Sequence, residues 1–449
     1  MKLPIVTARH RACLAGLLLT IARTGLADDL LSAYREALLQ DPVYLAARHT
    51  LAAAEQKLPQ ARAGLLPTLS ITGGESRQRG QASFSDAPFE DRDVRSRNWS
   101  LQLTQPLFRP ASWSAYSQAD AQVRQAAAQF QLARQELILR LAQAYFDVIL
   151  AEESVAVATA QHGAVEQQWT LAKRNFEVGM ATVTDVHEAK SRLDLARAQN
   201  IAAGNELIVK QAELERIVGR PPAHLPTLNP AAALPTPEPA RIDPWIEQAV
   251  AGNPLVAIQS AGVESLEHEV IRSRSGHAPT LDLNASYGTT FTSGSMTSPS
   301  DIPARSRAGQ VGVQLTVPIW SGGAVAARVV EATANLDKAR ADLEAARRQA
   351  VTLVRQAFSG VTSGQAQVEA LASAVTSSRN AVDANQVGYR IGTRINIDVL
   401  NAEQQLYATR RDLARTKLET LMHGLRLKAA VGVLEESDIV ALNRLFADS

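Results

Sequence analysis

The chain carries one unit twice, and this constrains its fold before any other feature does. "DPVYLAARHTLAAAEQKLPQARAGLLPTLSI" begins at Asp41 and "NPLVAIQSAGVESLEHEVIRSRSGHAPTLDL" at Asn253, so that Pro42 faces Pro254 and Gly64 faces Gly276, 212 residues on. "LQLTQPLF" from Leu101 matches "VQLTVPIW" from Val313 at the same spacing, and Phe146 matches Phe358. Two glycine-containing turns follow, "FEVGMATVTDV" (Phe176 to Val186) and "YRIGTRINIDV" (Tyr389 to Val399), now 213 apart. Beyond them Asp185 pairs with Asp398, Ala189 with Ala402, Leu193 with Leu406, and Val218-Gly219 with Val431-Gly432. Ala-rich helices can imitate one another, but they do not keep prolines and glycines in register over some 180 positions. Each copy reads as short helix, helix, strand, loop, strand, very long helix, turn, helix.

The long helices set the dimensions. Nothing stops a helix from Ala111 to about Asn175, or from Ala324 to about Gln386. About 65 residues at 1.5 Å each make about 100 Å, too long for an element of a globular core. Val351, Val354, Phe358, Val361, Val368, Leu371, Val375 and Val382 follow a seven-residue period, a coiled-coil seam. Alanines between them leave room for a second neighbour, so these helices suit a ring, with a filled antiparallel coiled coil as the other solution. Gly179 and Gly392 end the long helices at their far tips. Thr182 or Thr184, and Thr393 or Asn396, are placed to cap the returning ones. Asp41 and Asn253 are N-caps with proline at the next position.

After each "PTL" the hydrophobic period changes to two. Val311, Val313, Leu315, Val317 and Ile319 alternate with Gly312, Gln314, Thr316 and Pro318. Leu281, Leu283, Ala285 and Tyr287 alternate with Asp282, Asn284 and Ser286, and Trp99, Leu101 and Leu103 with Ser100, Gln102 and Thr104. Leu69, Ile71 and Gly73 form a weaker fourth segment. The spacing predicts strands near 68–76, 97–108, 280–292 and 308–320, each with one apolar face, as in membrane barrels. Trp99, Phe108, Tyr287, Phe291 and Trp320 are placed for the interfaces. The polar loops Ser76 to Ser96 and Ser293 to Arg307 suit an exposed end. Four strands cannot close a barrel, and an open edge in lipid is too costly. Spanning strands therefore demand an oligomer: a dimer with eight strands and a filled lumen, or a trimer with twelve and a passage.

The termini and composition agree with export. Lys2, Arg9 and Arg11, the apolar "ACLAGLLLTIA" and the small-residue "TGLA" read as a signal peptide, residues 1–27, cleaved after Ala27. Cys13, the only cysteine, lies inside it and lacks the leucine three residues earlier that a lipoprotein signal shows. The mature chain thus meets an oxidising space without a disulfide. No later segment has the roughly 18 apolar residues of a spanning helix. The remaining organisation is a first repeat over 28–218, a linker over 219–244 with eight prolines, a second repeat over 245–432 and a C-terminal segment over 433–449. A net charge of +1 gives no reason to expect nucleic acid. The chain has no P-loop, GxSxG, HExxH or cysteine site, and its eight histidines are scattered, so no enzyme, cofactor or metal is expected.

These segments carry a resemblance to the TolC family of outer-membrane exit ducts: "DPVYLAARHTLAAAEQKLPQARAGLLPTL", "GHAPTLDLNASYG", "VPIWSGG", "FEVGMATVTDV" and "YRIGTRINIDVLNAEQQLY" look like family segments, in order, over essentially the whole mature chain. The resemblance implies a mainly α fold with a membrane β-barrel. Three protomers would each give four strands to one twelve-stranded barrel in outer-membrane lipid and long helices to one periplasmic tunnel. The linker and the segment after Gly432 would form an equatorial region. The implied partners are a periplasmic adaptor protein and an inner-membrane ABC transporter or other pump. By residue match, the family's tip gate falls on Tyr389 and Arg394, facing Thr184 and Asp185. Of two acidic constriction positions, Asp398 matches the first and Asn401 replaces the second, with Glu188 at the equivalent place in the first repeat. The turns, with Gly179, Met180, Ala181 and Thr182, and with Gly392 and Thr393, are the expected adaptor-docking surface. The rival reading is a trimeric envelope scaffold or adhesin without an open lumen.

Overall fold

A computed structural model describes residues 29–85, 87–222, 225–229 and 234–446, and the expected signal peptide lies outside the described residues. The first copy runs α1 (Leu30–Gln40), α2 (Pro42–Glu55), α3 (Lys57–Ala63), β1 (Thr68–Ala82), β2 (Glu90–Phe108), α4 (Pro110–Glu177) and α5 (Val183–Val218). The second runs α6 (Asp243–Gly252), α7 (Pro254–Arg274), β3 (Thr280–Thr292), β4 (Ala304–Thr316), α8 (Ala324–Arg390) and α9 (Asn396–Ala430), and α10 (Glu436–Asn443) follows. The order repeats with one difference. The first copy breaks its second helix at Gln56, because Pro59 cannot donate the bond that would carry the helix through, whereas Ile271 holds the matching place inside the continuous α7. Asp41 and Asn253 cap α2 and α7, accepting from the Tyr44 and Leu255 amides at 2.6 and 2.8 Å.

At about 1.5 Å per residue the 68 residues of α4 and 67 of α8 each extend about 100 Å. Each pairs with its returning helix, α4 with α5 and α8 with α9, while α7 lies between the strand-proximal ends of α4 and α8. The main core sits midway along α4. There Leu137, Leu141, Tyr145 and Phe146 meet Leu30 and Tyr34 of α1, Leu418 and Leu421 of α9, and Ile439 and Leu442 of α10. The linker and the C-terminal segment join at this waist: Leu225 is buried in the same core, and Leu228 bridges Phe446. No helix among the described residues is long and apolar enough to cross a membrane.

The four strands form one antiparallel sheet in the order β1-β2-β3-β4. Its register puts Leu69 beside Leu103, Leu103 beside Ala285, and Ala285 beside Val311; two rungs lower, Leu281 faces both Phe108 and Leu315. Every apolar member of the alternation thus shares one face, and that face is bare: Leu69, Ile71, Val311, Val313 and Leu315 are all more than half exposed. The opposite face carries a polar ladder, with Thr72 on Ser100 at 2.8 Å, Thr104 on Asn284 at 3.1 Å and Asn284 on Gln314 at 3.4 Å. Among the described residues, the outer edges of β1 and β4 pair with nothing. Arg109 ties the root of the sheet to the helices through a two-pronged bond to Asp282 at 2.9 and 2.8 Å.

The strands differ from expectation at two ends. The first hairpin continues beyond Ser76 to Ala82 and resumes at Glu90, where a polar loop was expected. Charged pairs extend the ladder there, with Glu75 on Arg97 at 2.9 Å, Asp93 on Arg77 and Arg79, and Asp91 on Gln81 at 2.9 Å. The last strand spans Ala304–Thr316 rather than 308–320. Its partner begins at Thr280, so Val317 to Trp320 have nothing among the described residues to pair with.

Candidate functional site

The two tips share a backbone and differ in side chains. At the first, the Met180 amide donates to the Asn175 carbonyl at 2.7 Å, which closes the end of α4 through Gly179 at φ +76°. At the second, the Thr393 amide donates to the Gly388 carbonyl at 2.9 Å, through Gly392 at φ +78°. A left-handed residue is what such a terminus needs, and glycine supplies it without strain. In both turns the returning helix is capped three residues past the glycine. That residue is Thr182 in the first, and it forms a full capping box with Asp185: the Asp185 amide donates to the Thr182 hydroxyl at 3.2 Å, and the Thr182 amide to the Asp185 carboxylate at 2.9 Å. In the second it is Ile395, which has no side-chain acceptor. Thr184, Thr393 and Asn396 therefore cap nothing; the Thr393 hydroxyl turns back to the Gly388 carbonyl at 3.2 Å, and Asn396 is buried.

The expected gate residues sit close to the tips with partners inside the chain. The Tyr389 hydroxyl accepts from the Asn175 side chain at 3.2 Å, joining the end of α8 to the end of α4. Arg394 lies 3.7 Å from Asp398, one turn along on the same stretch. Its stem rests on Gly388, where an added Cβ would come within 2.7 Å of Arg394 Cγ, so this glycine makes room for the arginine. Among the described residues, no hydrogen bond or ion pair within the chain joins Tyr389 or Arg394 to Thr184 or Asp185. Thr184 is exposed, and the Asp185 carboxylate is already used as a cap.

Above the tips, Asn401 faces a cation. Arg192 of α5 donates to the Asn401 side-chain oxygen at 3.3 Å and to Gln404 at 2.9 Å. Glu188 stands exposed one turn before Arg192 on α5. Leu400 anchors the second hairpin on the first, packing with Val165, Ala172, Ala189 and Leu193. Glu403, only 5% exposed, accepts from Gln386 at 3.2 Å through one carboxyl oxygen and has no partner on the other. Burial raises its carboxyl above the ordinary 4.5, and the bond from Gln386 offsets only part of that.

Sequence reasoning missed several of these groups. Asn175 is the repeat equivalent of Gly388, and its bond to Tyr389 spans 214 residues, so no local pattern announces it. Arg192 had a local signal, its place one turn from Glu188 on one helix face. The tips also bear apolar side chains that lack cover: Phe176, Val178, Met180, Val183, Ile391 and Ile395 are exposed, Met180 at 81%. Among the described residues no three His, Cys, Asp or Glu side chains converge to hold a metal. What the tips can do is form a few directional bonds in water, each modest in strength and easily exchanged.

Comparison with known proteins agrees with this geometry. The family model described as "Outer membrane efflux protein" matches residues 33–220 and again 245–433, one match per repeat. The alkaline protease secretion protein AprF of Pseudomonas aeruginosa is 34% identical over 94% of this chain and 88% of its own length. The outer membrane protein TolC of Escherichia coli is 32% identical over 93% of this chain and 85% of its own. Among solved structures, the CmeC outer membrane channel of Campylobacter jejuni superposes with a TM-score of 0.79 over 94% of this chain and 90% of its own, at 17% identity.

Proposed function

The chain belongs to the outer membrane efflux protein family, the family of TolC, and from that premise we propose that it works as a ring of three, the exit duct of a tripartite secretion or efflux system. It is an outer-membrane exit channel of this family and not an enzyme. In the proposed ring, three sheets close a twelve-stranded barrel in outer-membrane lipid, and the α4/α5 and α8/α9 pairs form one tunnel through the periplasm. The observation that carries the ring is the sheet itself: four strands, two unpaired edges and one continuous bare apolar face. Lipid cannot hydrogen-bond those edges, and closure with identical copies can. Ile201 and Ile208 of α5, one heptad apart and two-thirds exposed, offer a seam to a neighbouring chain.

The gate follows from the tips. Tyr389 and Arg394 of one coil engage Thr184 and Asp185 across the boundary with the neighbouring coil, and three copies hold the tunnel shut. Arg394 reaches such a partner by leaving Asp398, an exchange of one exposed pair for another at small cost. A periplasmic adaptor docks on Gly179, Met180, Ala181 and Thr182 and on Gly392 and Thr393, covering the exposed Val178, Ile391 and Ile395. With an inner-membrane ABC transporter or other pump behind it, the adaptor opens the coils. At the constriction Asp398 favours cations, Asn401 with its Arg192 neighbour does not, and Glu188 adds a carboxylate nearby. The relatives named for protease secretion point to a secreted protein as cargo.

Conductance in planar bilayers tests the duct. The purified protein should pass a small current, and Arg394→Ala with Tyr389→Phe a several-fold larger one. If no variant passes current, the duct fails and a closed envelope scaffold takes its place.

A further inference from the structure

The lipid-facing side of the sheet changes character at its outer end. On β1 and β2 the apolar face continues past Gly73 and Trp99 with Glu75, Arg77 and Arg79 and with Arg97, Arg95, Asp93 and Asp91, in unbroken register. On β4 the same face passes from Val311 to Arg307 and Arg305, which lie beside Thr289 and Phe291. Six arginines thus stand against three carboxylates, Glu75, Asp91 and Asp93. Arg77 and Arg79 share Asp93, and Arg97 holds Glu75. Among the described residues, Arg95, Arg305 and Arg307 form no ion pair with any carboxylate, and Arg305 only stacks over the Phe291 ring, 5.9 Å from its centroid. All three are exposed.

We propose that this outer arginine belt binds the phosphate groups of outer-leaflet lipid, a phosphorylated glycolipid of the lipid A class. The proposal rests on the barrel reading, because it takes the apolar face as the one lipid covers. The belt begins level with Trp99 at Arg307, which lies beside Thr289, and one rung further out at Arg97 and Arg305; at ~3.3 Å per residue the outermost guanidinium groups emerge about 20 Å past the Trp99 rung. That is the depth of headgroups, and aromatic residues mark the boundary. Guanidinium forks suit phosphate, which accepts two parallel bonds. A protein partner would need the belt to lie off the lipid, whereas these residues continue the same strands and the same face as Leu101 and Val313. A neighbouring chain in a ring brings identical residues, so the surplus of positive charge survives assembly.

The test uses the full-length protein in phosphatidylcholine nanodiscs doped with bisphosphorylated lipid A or with its dephosphorylated form. Lipid retained by the released protein is counted by native mass spectrometry, and planar-bilayer conductance is measured alongside. The wild type should retain the bisphosphorylated form, Arg95→Gln/Arg305→Gln/Arg307→Gln should retain about tenfold less or lower still, and the matching lysine variant should recover part of the loss. Conductance should not change. Equal retention by the glutamine variant, equal retention of dephosphorylated lipid, or displacement by inorganic phosphate at matched ionic strength would overturn the belt. A wild type that conducts yet retains no lipid sinks this proposal alone; one that neither inserts nor conducts sinks the barrel.

Discussion

Val311 and Gln310 are adjacent on β4 and point to opposite faces, so placing the same charge at each asks which face lipid touches. Val311 pairs with Ala285, midway along the apolar face that runs on β3 from Leu281, beside Phe108, to Thr289, beside Trp99, about 26 Å at ~3.3 Å per residue. Tilted by ~40°, that face spans roughly 20 Å, close to the apolar band of a membrane barrel, with Val311 at its middle. An arginine at mid-depth on a lipid face costs about 2–4 kcal/mol, so Val311→Arg should lose about that much per chain, and about 6–12 kcal/mol in a barrel of three. Gln310→Arg faces the polar ladder, beside Ser286, and should cost less than about 0.5 kcal/mol. Denaturant unfolding of barrel protein in vesicles, read by tryptophan fluorescence, measures both. Two equal costs, or a Val311→Arg that unfolds like the wild type, would refute the assignment of faces.

Three further outcomes follow from the helices. Ile201→Asp with Ile208→Asp puts charge into the α5 seam; the chain should fold with unchanged helix content by circular dichroism, yet elute as single chains. Asn401→Asp should raise cation over anion permeability at low salt, and Arg192→Gln should shift the reversal potential the same way by removing the positive neighbour; unchanged potentials would remove Asn401 from the constriction. Glu403 holds its proton more tightly folded than unfolded, so it favours folding while protonated, and that contribution is lost as pH rises from its ordinary 4.5 toward neutrality. Glu403→Gln should therefore melt higher than the wild type at pH 7.5, with the gap closing as the pH falls toward 4.5.

Much of this was legible because it is periodic. The long helices end within a few residues of where their patterns stop, since Gly179 and Gly392 terminate them by backbone conformation alone. The first hairpin was longer than the alternation suggested because above Gly73 its ladder is carried by paired charges such as Glu75 and Arg97, which an apolar pattern does not register. The second tip was misjudged at its cap: a threonine and an asparagine lie nearby, but the geometry gives the position to Ile395. The bonds from Asn175 to Tyr389 and from Arg192 to Asn401 join residues over 200 positions apart, and only the packing of the two hairpins brings them together. Leu400, seated among Val165, Ala172, Ala189 and Leu193, shows how that packing is made.

The number of chains in the detergent-solubilised particle, measured by light scattering with the detergent contribution subtracted, bears most directly on whether the open sheet closes through identical copies. Three chains per particle is the predicted result. A stable, monodisperse single chain, with the edges of β1 and β4 left unpaired, would contradict it.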